Sequence, residues 1–153
     1  ESWAGKVGEE TISLKYFGSA HTDGDSVVHF ENANIAHLGD LLFRKRHPYV
    51  DTSSGASIQG WIEVMEGIIK HYSKETIFVW GHANNPEDIV GDVTALEEKR
   101  DYLTKVLDFV NKEIAAGKSE EEVLKNTEIP GTEGYDSRGI ERPLGAAYQE
   151  LSK

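Results

Sequence analysis

Apolar and polar residues alternate through Thr11-Ile12-Ser13-Leu14-Lys15-Tyr16-Phe17, the period-two signature of a strand with one buried face. Ser26-Val27-Val28-His29-Phe30 and Asn34-Ile35-Ala36-His37-Leu38 read as two further strands. The turn-prone Glu31-Asn32-Ala33 between them is short enough to force an antiparallel hairpin. The period then changes. Ile58, Trp61, Ile62, Met65, Ile68, Ile69 and Tyr72 recur at three- and four-residue steps, which predicts an amphipathic helix. Thr76-Ile77-Phe78-Val79-Trp80 is a continuous apolar run of the buried-strand type. A long helix follows, with Leu96, Leu103, Val106, Leu107, Val110 and Ile114 along one face. Thr94 with Glu97 would box its start, and Gly117 would end it. Ser119 with Glu122 repeats the box for a short helix to about Asn126, Gly131–Asp136 is loop-like, and Leu144–Leu151 closes with a helical turn or two.

The chain has 153 residues, enough for one domain with a real core. Its formal net charge of −11 argues against nucleic acid or an anionic membrane surface as partner, because like charges repel across the whole surface. No apolar run approaches the roughly 20 residues that span a bilayer. With no cysteine there is no disulfide, thiolate ligand or cysteine nucleophile, and the compartment stays open. The first residue is Glu1 and no signal-peptide pattern follows, so the expectation is a piece of a longer protein or one from which a segment has been removed.

Three residues carry candidate chemistry. His21 precedes the hairpin, Asp40 lies two residues beyond the strand ending at Leu38, and His82 lies two beyond the strand ending at Trp80. Histidine and aspartate suit a divalent metal such as zinc. Strand 34–38, helix 58–72 and strand 76–80 form a β-α-β unit, so their strands should run parallel and deliver Asp40 and His82 to one sheet edge, where open α/β sheets bind their ligands. His21 enters at the start of the neighbouring strand and reaches the same edge.

His-Thr-Asp-Gly-Asp at 21–25, Gly-Asp-Leu-Leu-Phe at 39–43 and Gly-His at 81–82 resemble the metallo-β-lactamase fold superfamily, in order and rough spacing. The resemblance covers most of residues 11–115 and corresponds to the C-terminal half of that fold. It implies an α/β architecture: half of an αββα sandwich, a mixed sheet with helices packed on one face. Residues 1–118 would form that half, and 119–153 a C-terminal helical and loop extension. It also implies a mono- or dinuclear centre in the intact protein, holding one or two zinc ions, with iron or manganese as alternatives. His21 would be the third histidine of the first metal, His82 a terminal ligand of the second, and Asp40 the bridging carboxylate that anchors the attacking hydroxide. The superfamily's His-x-His-x-Asp-His signature is absent, so this chain holds three of about seven ligands. Aspartate at 40, where the commonest zinc β-lactamases carry cysteine, resembles the glyoxalase II, lactonase and related hydrolase branch.

These implications lead to a function. The intact protein would be a metallohydrolase in which metal-bound hydroxide attacks an ester, thioester, lactone or amide of a small molecule, while the isolated chain turns over little. Two other readings come from different classes. One makes this chain an assembly half whose exposed sheet pairs with the missing N-terminal half or with a second copy of itself. The other keeps the fold but makes it an iron-dependent oxidoreductase. Asp23 could orient His21 from behind, while Asp25 reads better as a turn residue. Arg44, Arg46 and Tyr49 lie in the loop after Asp40 and are candidates for contact with an anionic substrate, against simple surface pairing of the arginines with nearby acids. His47 reads as a loop residue, His71 as helix surface, and Trp61 and Trp80 as core. No Gly-x-Ser-x-Gly elbow, P-loop or dinucleotide fingerprint occurs.

Overall fold

The computed structural model describes residues 1–136 and 138–153. The four strands and two long helices expected from periodicity all form, and the closing turn or two expected over 144–151 is an 11-residue helix that starts at Glu141. They are β2 (Glu10–Tyr16), β3 (Ser26–Phe30), β4 (Ile35–His37), α1 (Ile58–His71), β6 (Ile77–Val79), α2 (Val93–Ala115) and α4 (Glu141–Leu151), with α3 (Glu120–Val123) as the short fourth helix. Four strands escaped the pattern: β1 (Ser2–Val7), β5 (Phe43–Arg44), β7 (His82–Ala83) and β8 (Val90–Gly91). The last three are two residues long, too short for any period. In β1 the apolar residues Trp3, Ala4 and Val7 do not alternate with polar ones, and nearly all of it is exposed.

The main sheet runs β1-β2-β3-β4-β6-β8, and β5 pairs with β7 in a second, two-stranded sheet. Pairing is antiparallel from β1 to β4, parallel between β4 and β6, and antiparallel again at β8. The sheet is mixed, with one parallel crossover through α1, as the β-α-β order requires.

Direct cross-strand partners share a face. On one face Val27, Ala36 and Phe78 enter a common core with Trp61, Met65 and Ile68 of α1 and Leu103 and Val106 of α2. Val123, Ile129, Ile140, Leu144 and Ala147, all beyond residue 118, join that same core. The opposite face is different. Trp3–Leu14–Val28 and Ile12–Phe30–Ile35–Ile77 form apolar rows across paired strands, and none of these side chains belongs to the core.

One local detail differs from the sequence pattern. The cap of α2 is Asp92, whose carboxylate accepts from the Thr94 N–H, rather than Thr94 itself. An extended β8 ends at Gly91, so the helix can begin two residues earlier than the Thr94–Glu97 box would allow. The Ser119–Glu122 capping box is present as expected, and Gly117 follows the end of α2 with φ of +81°. No described helix is long and apolar enough to cross a membrane.

Candidate metal centre

Asp40 and His82 meet because their strands are parallel neighbours. The chain leaves β4 through buried Leu38, whose N–H donates to the Val79 carbonyl (2.7 Å), and turns at Gly39 with φ of +54°. It leaves β6 through buried Trp80 and Gly81, and the Gly81 N–H donates to the Gly39 carbonyl (2.8 Å). Both glycines are needed here. Gly39 adopts a left-handed conformation that a side chain resists. At Gly81 a Cβ would stand 2.7 Å from Asp40 Oδ1, so only glycine leaves room for that carboxylate. Asp40 Oδ1 thereby comes to 3.2 Å from His82 Nε2, with both side chains partly open to solvent.

Pairing of β5 with β7 sets Phe43 opposite His82, and the two rings stack with centroids 4.4 Å apart. His21 approaches the same phenyl ring at 5.8 Å and meets Trp61 edge-on at 5.7 Å. Its loop is fixed by the Thr22 N–H donating to Asp25 Oδ2 (2.6 Å), and Asp25 Oδ1 lies 3.8 Å from His21 Nδ1. The carboxylate beside His21 is therefore that of Asp25. Asp23 turns elsewhere: its N–H donates to the Ser54 carbonyl (2.8 Å), and its side chain packs against Gly55.

The fit to a metal can be tested on these positions. Two ligands about 2.1 Å from one tetrahedral ion lie roughly 3.4 Å apart, close to the observed separation of Asp40 and His82. His21 is linked to that pair through Phe43. Among the described residues no group of three histidine, aspartate or glutamate side chains is assembled closely enough to hold an ion alone. The pair fits one edge of a metal site.

The loop after β5 divides its basic residues. Arg44 is committed to an ion pair with Glu98, which Lys45 joins at 3.4 Å. Arg46 is exposed and lines a cavity with His47, Asp136, Arg138 and Arg142. Tyr49 is also exposed, with the Arg142 guanidinium 5.9 Å from its ring. His47, expected in a loop, is buried, and its Nδ1 lies 2.7 Å from the Tyr102 hydroxyl. Burial pushes its pKa below the usual histidine value, and the nearby Lys99 pushes the same way.

Lys99 lies on the buried side of α2. It is 1% exposed, its Nζ has no hydrogen-bond partner, and Trp61, Tyr102 and Phe43 surround it at 4.3, 5.1 and 5.6 Å. The signal was present, because Lys99 interrupts the apolar stripe between Leu96 and Leu103. Phe43, the ring shared by His21, His82 and Lys99, could have been found only from the β5–β7 pairing.

No family model and no curated protein matches the sequence. Solved structures do match. A metallo-β-lactamase from Pontibacter korlensis aligns over 68% of this chain and 46% of its own, with TM-score 0.57 and 19% identity. The structure of VMB-1 aligns over 61% of this chain and 40% of its own, with TM-score 0.50 and 26% identity. A double mutant (S233Y F250G) of the sec-alkyl sulfatase PisA1 aligns over 98% of this chain but 25% of its own, with TM-score 0.74 and 14% identity. This chain therefore has part of the metallo-β-lactamase fold, and it spans less than half the length of each of these proteins.

Proposed function

We propose that this chain works as the C-terminal half of a metal-dependent hydrolase, contributing Asp40, His82 and His21 to a centre completed by residues outside it. The observation that carries the reading is the Asp40–His82 pair, held 3.2 Å apart at the C-terminal edge of parallel strands by two glycines that leave the carboxylate its space. Zinc suits this oxygen and nitrogen donor set. When bound, such a metal acidifies water and polarises a substrate carbonyl. What this chain supplies is orientation. Pairing of Phe43 with His82 fixes the imidazole against a buried ring, and Asp25 stands behind His21. The loop carrying Arg46 and Tyr49 borders the site and meets the substrate, an ester, thioester, lactone or amide. Arg44 supports that loop through Glu98. The open apolar face of the sheet supports the same reading, since half of a two-sheet sandwich must leave its inner face uncovered.

Zinc titration of the 153-residue chain, followed through histidine side-chain NMR signals, tests this. Weak binding that perturbs His82 is expected, without hydrolysis. Asp40→Asn should weaken it beyond the roughly 10–100-fold lost when an outer-shell partner of a metal ligand is removed. Zinc shifts that spare His82, or that survive Asp40→Asn unchanged, would refute the assignment, as would tight stoichiometric loading with turnover by this chain alone.

A further inference from the structure

The distribution of arginine is uneven in a way that points to a ligand. There are five in the chain, against 27 acidic residues, and three of them line one cavity of about 240 Å³. We propose that this cavity, bounded by Arg46, His47, Asp136, Arg138 and Arg142, is a binding site for an oxyanion: the carboxylate, phosphate or sulfate group of a small molecule.

Each arginine has a different local arrangement. Arg46 makes no ion pair among the described residues. Arg138 is held by Asp136, whose two carboxylate oxygens accept from its backbone N–H and from two nitrogens of its guanidinium. Arg142 lies over the Tyr49 ring, with Glu141 4.0 Å from its Nε. Among the described residues Asp136 is the one carboxylate on the cavity wall, against three guanidinium groups, so the wall carries an excess of positive charge inside a strongly acidic protein. Guanidinium forks match the paired oxygens of carboxylates and tetrahedral oxyanions. His47, buried and fixed through Nδ1 by Tyr102, forms part of the same wall.

The cavity is also tied to the proposed metal centre. The Lys45 carbonyl accepts from Asn84 Nδ2 (2.9 Å), two residues beyond His82, and from the Asp136 N–H (3.3 Å). Two residues separate Arg46 from Phe43, which stacks on His82, a reach of at most about 11 Å. On the reading given above, the anion would be the acidic end of the substrate. Binding itself can be measured without any metal.

Calorimetric titration of the metal-free chain with inorganic phosphate, sulfate and benzoate, in chloride buffer of low ionic strength, tests the proposal. Saturable one-to-one binding by at least one of them is expected, and which one saturates separates carboxylate from tetrahedral oxyanion. Arg46→Gln and Arg142→Gln should each weaken binding about tenfold, the loss of one charge-assisted contact. Arg100→Gln, at a residue paired with Asp101 outside the cavity, should leave it unchanged. Failure of all three anions to saturate, or equal weakening by Arg100→Gln, would overturn the site. Zinc shifts at His82 should be indifferent to Arg46→Gln, so the two assignments can fail separately.

Discussion

Lys99 is the residue whose energetics are most exposed to test. Its amine is buried without a hydrogen-bond or carboxylate partner, and burial holds its pKa well below the ordinary lysine value. The three aromatic rings offset only part of that desolvation. In the unfolded chain the same lysine stays protonated up to a pH of about 10.4. Between its folded and unfolded pKa values the unfolded state thus binds the extra proton, so stability rises with pH across that window and falls as pH drops. Lys99→Met, which keeps the length of the side chain and removes the amine, should raise stability at pH 7 by roughly 1–3 kcal/mol. The advantage over wild type should shrink towards pH 10 by up to about 1.4 kcal/mol per pH unit. Urea melts of both proteins at pH 7, 8.5 and 9.5 measure it, and a difference that is flat or widens with pH would refute the lowered pKa of Lys99. At this scale the sequence was partly legible. Asp40 and His82 could be placed because strand order alone brings them together. Asp25 has the composition of a turn residue, and its contact with the Thr22 N–H is there, but its position beside His21 depends on how a five-residue loop folds back, which no periodicity encodes.

Among the elements, α4 is fastened to α1 by one side chain. Glu150 Oε2 accepts from the Ile58 N–H (2.8 Å), and Oε1 accepts from the Gln59 N–H (3.0 Å) and the Ser57 hydroxyl (3.1 Å). Ser57 Oγ in turn accepts from the Gly60 N–H (2.9 Å). The N–H groups of the first turn of α1, which have no partners inside the helix, are thus satisfied, and a negative charge sits at the positive end of its dipole. Glu150→Ala should lower stability by about 2 kcal/mol, with faster amide exchange at Ile58 and Gln59. An unchanged urea midpoint would show that water replaces the carboxylate at no cost. Such a contact spans more than ninety residues of sequence, which is why it could not be read from the chain. Long periodic elements were legible because burial repeats along them: α1, α2 and β2 each show several turns or pleats of the same pattern. Two-residue strands such as β5 and β7 carry no pattern, yet their pairing places Phe43 against His82.

For the whole molecule, the decisive asymmetry is between the two faces of the main sheet. One face is closed by α1 and α2, while the other presents Leu14, Val28, Phe30 and Ile35 flanked by Trp3 (59% exposed) and Ile77 (45% exposed). The net charge of −11 spreads repulsion over the rest of the surface, which favours solubility of the monomer but does not hide an apolar sheet from water. The sandwich reading assigns that face to a second sheet. In the isolated chain the available substitute is another copy, packed face to face so that each covers the other's apolar rows. Sedimentation equilibrium over a range of concentrations should show reversible dimerisation, strengthened by added salt as charge repulsion is screened. Leu14→Lys together with Val28→Lys puts two like charges at cross-strand partners on that face. It should abolish the dimer and leave the core formed by Val27, Ala36 and Phe78 on the other side intact. Retention of the circular dichroism spectrum separates loss of association from loss of fold. A wild-type chain that stays strictly monomeric, or a double variant that still dimerises, would show that the open face is not the surface through which this half associates.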